Sequence, residues 1–177
     1  MAKATMASSS EPPLPEPWLR GPLAGVHPLV MPLFFTFEQV REDLRKYTAG
    51  LTPEQVWRKM GDLPTLGFHL KHLAGSVDRL ITYLFDEQLS QEQLQSLRGE
   101  SRGDEGIPEL LERVDRYFTA AEERLRQIDP QKMHEARSVG RKALPTTVLG
   151  LLVHTAEHTQ RHLGQAITTA KLLRQTP

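Results

Sequence analysis

Apolar residues recur at intervals of three and four along four long stretches of the chain, the spacing that lines one face of an α-helix. The first runs from about Leu29 to Ala49 on Val30, Leu33, Phe34, Phe37, Val40, Leu44 and Tyr47, with Gly50 as its stop. Thr52 followed by Pro53 predicts a short helix that begins there, because proline suits the first helical position after a capping hydroxyl. A second long helix starts near Thr65 and carries Leu66, Leu70, Leu73, Val77, Leu80, Ile81 and Leu84. Ser90 caps a minor helix that ends near Gly99, and a loop rich in Gly, Ser and charge spans Glu100 to Gly106. The third long helix has Pro108 in its first turn, repeats Ile107, Leu110, Leu111, Val114, Phe118, Ala121, Leu125 and Ile128, and ends at Asp129-Pro130. Gln131 to Pro145 holds no period and is expected to be loop, with at most a short extended piece. Thr146 is the expected cap of a fourth helix that reaches about Leu173. No segment alternates convincingly with period two. The pattern predicts an all-α fold, a four-helix bundle with a long connection between the third and fourth helices.

Composition narrows the class. Residues 1–28 carry Pro12, Pro13, Pro15, Pro17, Pro22 and Pro28, which cannot sustain a helix, so this stretch reads as an extended lead-in to a domain over residues 29–177. Trp18 and Leu19 could anchor it to the bundle or to a second subunit; a tail with one incidental Trp is the plainer alternative. Lys plus Arg equals Asp plus Glu at 22 each, so no net field draws the chain to nucleic acid or anionic lipid. The absence of cysteine excludes disulfides, thiolate-ligated metals and a thiol nucleophile, and it fits a cytoplasmic location. Residues 1–17 lack the apolar core of a secretory signal. The longest apolar stretch, Leu29 to Phe37, is interrupted by Pro32 and falls well short of the ~20 residues of a membrane span.

The candidate chemistry lies in histidine. His69 and His72 fall on the second long helix, and His154, His158 and His162 on the fourth. A step of four residues turns a helix by about 400°, so adjacent members of the second group share a face and can share an ion. With His158 at zero, His162 lies near 40°, inside the arc of Leu151, Val148, Ala166, Leu152 and Ala170, whereas His154 lies near −40°, toward Arg161 and Glu157. The inward pair is therefore His158 and His162. Three histidines on one straight helix cannot surround an ion, so a third ligand has to come from the second helix. There the spacing favours His69, because His72 sits at the polar margin of the apolar stripe.

Two phrases carry a family resemblance. Gly67-Phe68-His69-Leu70-Lys71-His72-Leu73-Ala74-Gly75-Ser76 resembles the second helix of the DinB/YfiT-like metalloenzymes, in which the ligand histidine directly precedes a Leu/Ile-Ala pair. Glu157-His158-Thr159-Gln160-Arg161-His162-Leu163-Gly164-Gln165 resembles that family's His-x-x-x-His motif with Gly-Gln following one residue later. The likeness covers roughly residues 29–173. It implies His72, His158 and His162 as the metal ligands, with His69, His154, Glu157 and Gln165 as outer or pocket residues; for His69 and His154, ordinary surface histidine is the plainer alternative.

Three neutral imidazoles leave a divalent ion, zinc or nickel, at least one open position. Water bound there would approach a pKa near 7 and serve hydrolysis. The resemblance implies instead a small-molecule substrate handled with a low-molecular-weight thiol, and a homodimer. The expected function is thus a metal-dependent thiol-linked transferase or hydrolase; the alternative is a non-catalytic, metal-stabilised binding or stress-response bundle. Glu157 lies about 100° from His158 around the helix and is a doubtful general base. Gln165, nearer the histidine face, could orient a ligand. His154-Thr155-Ala156-Glu157-His158 also fits the pattern of inverted zinc peptidases, but the chain lacks the strands and length they need. A carboxylate-bridged di-iron bundle is excluded, since no Glu-x-x-His motif occurs.

Overall fold

The computed structural model describes residues 14–175, so Pro12 and Pro13 of the lead-in lie outside the described residues. The fold is mostly helical. Its helices are α1 (Met31–Thr48), α2 (Pro53–Trp57), α3 (Leu66–Leu84), α4 (Gln91–Arg98), α5 (Ile107–Leu125) and α6 (Val148–Gln175). Single 3-10 turns occupy Pro17–Leu19 and Pro130–Lys132, and one two-stranded sheet is formed by β1 (Ala136–Val139) and β2 (Leu144–Thr147). No helix among the described residues is long and apolar enough to cross a membrane.

Local signals set most boundaries. Thr52 and Gln55 form a reciprocal capping box at α2, and Ser90 and Gln93 form another at α4. The Thr65 hydroxyl accepts from Phe68 N at the start of α3. The periodic residues then meet. Leu33, Phe34, Phe37, Val40 and Leu44 of α1, Leu70, Leu73 and Val77 of α3, Leu110, Val114 and Phe118 of α5, and Leu151, Leu163, Ala166 and Ala170 of α6 fill one core. The Phe37 and Phe118 rings stack at 4.3 Å between centroids, locking α1 to α5. α3 packs against α5 and α6, and α2 and α4 also lie on it, so it is buried on most sides.

The segment between α5 and α6 departs from the expected loop. α5 ends at Leu125, earlier than Asp129-Pro130, because Gln127 N and Ile128 N turn back to the carbonyls of Arg124 and Leu125 in tight i−3 bonds. β1 and β2 then form an antiparallel hairpin pairing Ala136 with Thr147 and Val139 with Leu144; its loop places Gly140 at φ 71° and Ala143 at φ 47°. Thr146 is a strand residue. The Thr147 hydroxyl, not that of Thr146, accepts from Gly150 N and caps α6. The hairpin serves both neighbouring helices. Arg137 Nε donates to Leu84 O at the end of α3, while the carbonyls of Glu135 and Met133 accept from Val148 N and Leu149 N at the start of α6.

The described part of the lead-in lies against α1. Trp18 stays 60% exposed, so it is no anchor in this chain by itself. Buried Pro17, the Arg20–Glu42 ion pair, buried Val26 and Val30, and Arg126 donating to Ala24 O hold the segment down instead.

Candidate metal centre

The packing of α3 on α6 brings His72, His158 and His162 together, with one ring nitrogen of each within 4.8 Å of the others. His72 Nε2 and His158 Nε2 are 3.1 Å apart. The ring centroids of His72 and His162 are separated by 4.4 Å, and those of His158 and His162 by 4.6 Å. All three side chains are half-buried. Phe68, one turn before His72, stacks on that ring at 5.2 Å and 12°.

His69 occupies a different place. It is buried, with 3% exposure, and its Nδ1 lies 3.2 Å from Nδ1 of His162. The helical spacing rightly put it inward, yet it touches the back of one member of the cluster and is not part of the trio. His154 is exposed and pairs through Nδ1 with Glu157 Oε1 at 2.7 Å. Glu157 also takes Arg161, so both its partners point to the surface. Gln165 is exposed and lines a cleft of about 500 Å³ with Leu63, Pro64, His69 and Arg161. A second cleft, of about 550 Å³, abuts Phe68 and is walled by Lys59, Asp62, Thr65, Ser101 and Arg102. The cleft between Trp18 and α1, about 600 Å³, has no histidine in its wall.

Sequence reasoning missed one acid. Glu100, at the head of the loop after α4, is 2% exposed. Its Oε2 lies 2.7 Å from His72 Nδ1, and its Oε1 accepts from Arg79 Nη1, also at 2.7 Å. No periodicity marks a loop acid. The one signal available was that His72, Gly75 and Arg79 share a face of α3, leaving room for a partner from elsewhere.

Burial holds His69, His158 and His162 in the neutral form. It pushes His69 down to about 4, with the His72 charge adding to the effect. His158 falls to about 4, from burial first and then His72, His154 and Arg161, with Glu157 opposing. His162 falls to about 3 for the same reasons, with His72, His158, His69 and Arg161 as its charged neighbours. Neutral rings keep a lone pair free for a cation, which is what a metal ligand needs. A tetrahedral ion with N ligands at 2.0–2.1 Å holds those nitrogens roughly 3.3 Å apart, and the 3.1 Å pair fits it with little movement. The cluster can hold a metal ion.

A sequence profile described as the DinB superfamily matches residues 36–166, a span that runs from α1 into α6 and contains all five helix histidines. No curated protein matches the chain.

Proposed function

This chain belongs to the DinB superfamily, and from its histidine cluster we propose that it is a metal-dependent enzyme acting on a small molecule with a low-molecular-weight thiol. The four long helices are read as one bundle that presents His72, His158 and His162 as ligands to a single zinc or nickel ion. The observation that carries the proposal is the meeting of these three imidazoles across α3 and α6, with Nε2 of His72 and His158 at 3.1 Å. A divalent ion held by these three imidazoles would supply Lewis-acid chemistry, lowering the pKa of a bound water or thiol.

The surrounding residues favour thiol-linked transfer over hydrolysis. A hydrolase gains from a carboxylate base within reach of its water. Glu100 is committed to His72 and Arg79, and Glu157 to His154 and Arg161. A thiol, by contrast, is deprotonated by coordination and needs no such base. The flanking clefts beside Phe68 and His69 offer room for the thiol and its co-substrate, with Lys59 and Arg102 suited to an acidic group. A cytoplasmic homodimer completes the proposal.

The second reading, a metal-stabilised bundle without catalysis, draws on the half-buried setting of the trio, with Phe68 stacked on His72 and His69 set against His162. A panel of thiols with electrophilic acceptors, run beside hydrolysable esters and amides, tests the proposal. Metal-restored turnover of a thiol pair is expected. Loss of metal that abolishes no turnover while lowering only the melting temperature would establish the second reading.

A further inference from the structure

Glu100 is buried beside α3 in a seat that the helix builds for it. His72, Gly75 and Arg79 follow at i, i+3 and i+7, the spacing of one helix face. A Cβ on Gly75 would lie 2.7 Å from Glu100 Oε1 and 2.8 Å from Arg79 Nη1, so only glycine leaves the carboxylate and the guanidinium their place. Arg79 is itself buried, at 8% exposure, and accounts for one carboxylate oxygen; the other is aimed at His72. The loop that delivers Glu100 is fastened further along. Trp57 Nε1 donates to Glu105 O, and Lys71 Nζ donates to Arg102 O and to Glu105 Oε1, each at 2.9 Å.

We propose that Glu100 is the positioning residue of His72, fixing its ring so that Nε2 faces His158 and His162. This rests on the reading of His72 as a metal ligand. The proton assignment follows from the partners. A buried carboxylate charge persists only when compensated, and Arg79 compensates this one. An ionised carboxylate is acceptor-only, so the hydrogen in the 2.7 Å contact sits on His72 Nδ1. The Nε2 lone pair is then the one directed into the cluster. Acceptors of this kind orient ligand imidazoles and raise their basicity, and removing one weakens metal binding by about 10–100-fold. A mere buried ion pair between Arg79 and Glu100 would require neither the second contact nor any effect on the metal.

The test has two arms. In metal-free wild type at pH above 7, long-range proton–nitrogen NMR should find the His72 proton on Nδ1; a proton on Nε2 alone overturns the proposal without any variant. Zinc and nickel affinities, measured by competition with a chromophoric chelator, should then fall about 10–100-fold in Glu100→Gln. They should fall also in Gly75→Ala, which keeps both charges and displaces the carboxylate. Wild-type affinity in a folded Glu100→Gln protein overturns the proposal and leaves the three-histidine site standing. A wild type that binds neither metal ends the metal reading, while the NMR arm still decides where the proton lies.

Discussion

His72 Nε2 and His158 Nε2 stand 3.1 Å apart, one reaching from α3 and the other from α6. Two imidazole nitrogens at that distance share at most one hydrogen, and a cation between them would satisfy both lone pairs. The third ring, His162, comes from the turn above His158 on the same helix. The centre therefore depends on the register of α6 against α3.

The pH dependence of stability follows from the buried rings. His69 and His158 titrate at about 4 and His162 at about 3 in the folded, metal-free protein, against about 6.5 in an unfolded chain. The unfolded state thus takes up protons first as pH falls, and stability is lost from about pH 6.5 downward through the folded values. Urea midpoints of the metal-free protein should fall on acidification from about pH 7.5 to 4.5, and His162→Gln should flatten that slope. Midpoints rising toward acid, or an equal slope in the variant, would contradict the assignment of burial as the cause.

His154 separates this site from an inverted peptidase site. Its imidazole is exposed and held by Glu157 at 2.7 Å, away from the trio. His154→Ala should leave zinc affinity unchanged, whereas His162→Ala should abolish tight binding. The opposite pattern would move the site to His154, Glu157 and His158.

The α1–α5 contact is the clearest lever on the core. Phe37 and Phe118 are fully buried and stacked at 4.3 Å. Phe37→Ala should cost about 3–5 kcal/mol of unfolding free energy. Equilibrium denaturation measures it, and a loss below about 1 kcal/mol would mean that the core closes over the gap.

The four long helices and the inward pair His158 and His162 were legible in the sequence because period and apolar arc coincide on α6. The choice between His69 and His72 was not. A helical wheel assumes one wet face, but α3 is covered by α5, α6, α2 and α4, so the polar margin holding His72 faces protein. His69 is the more buried of the two, as the spacing required, yet it backs His162 and lies outside the trio. Only the family motif at His72-Leu73-Ala74 selected the residue that the fold brings to the cluster. Glu100 left no local trace, since its meaning lies in contacts 28 and 21 residues distant, with His72 and Arg79. The hairpin escaped for another reason. Its strands are four residues each with none of them fully buried, too short and too polar in sequence for an apolar alternation to show.

Metal content of the purified protein tests the central claim most directly. Elemental analysis of wild type beside His72→Ala and His158→Ala should find about one zinc or nickel ion per chain in the wild type and little in either variant. Stoichiometric metal retained in both variants would contradict the account.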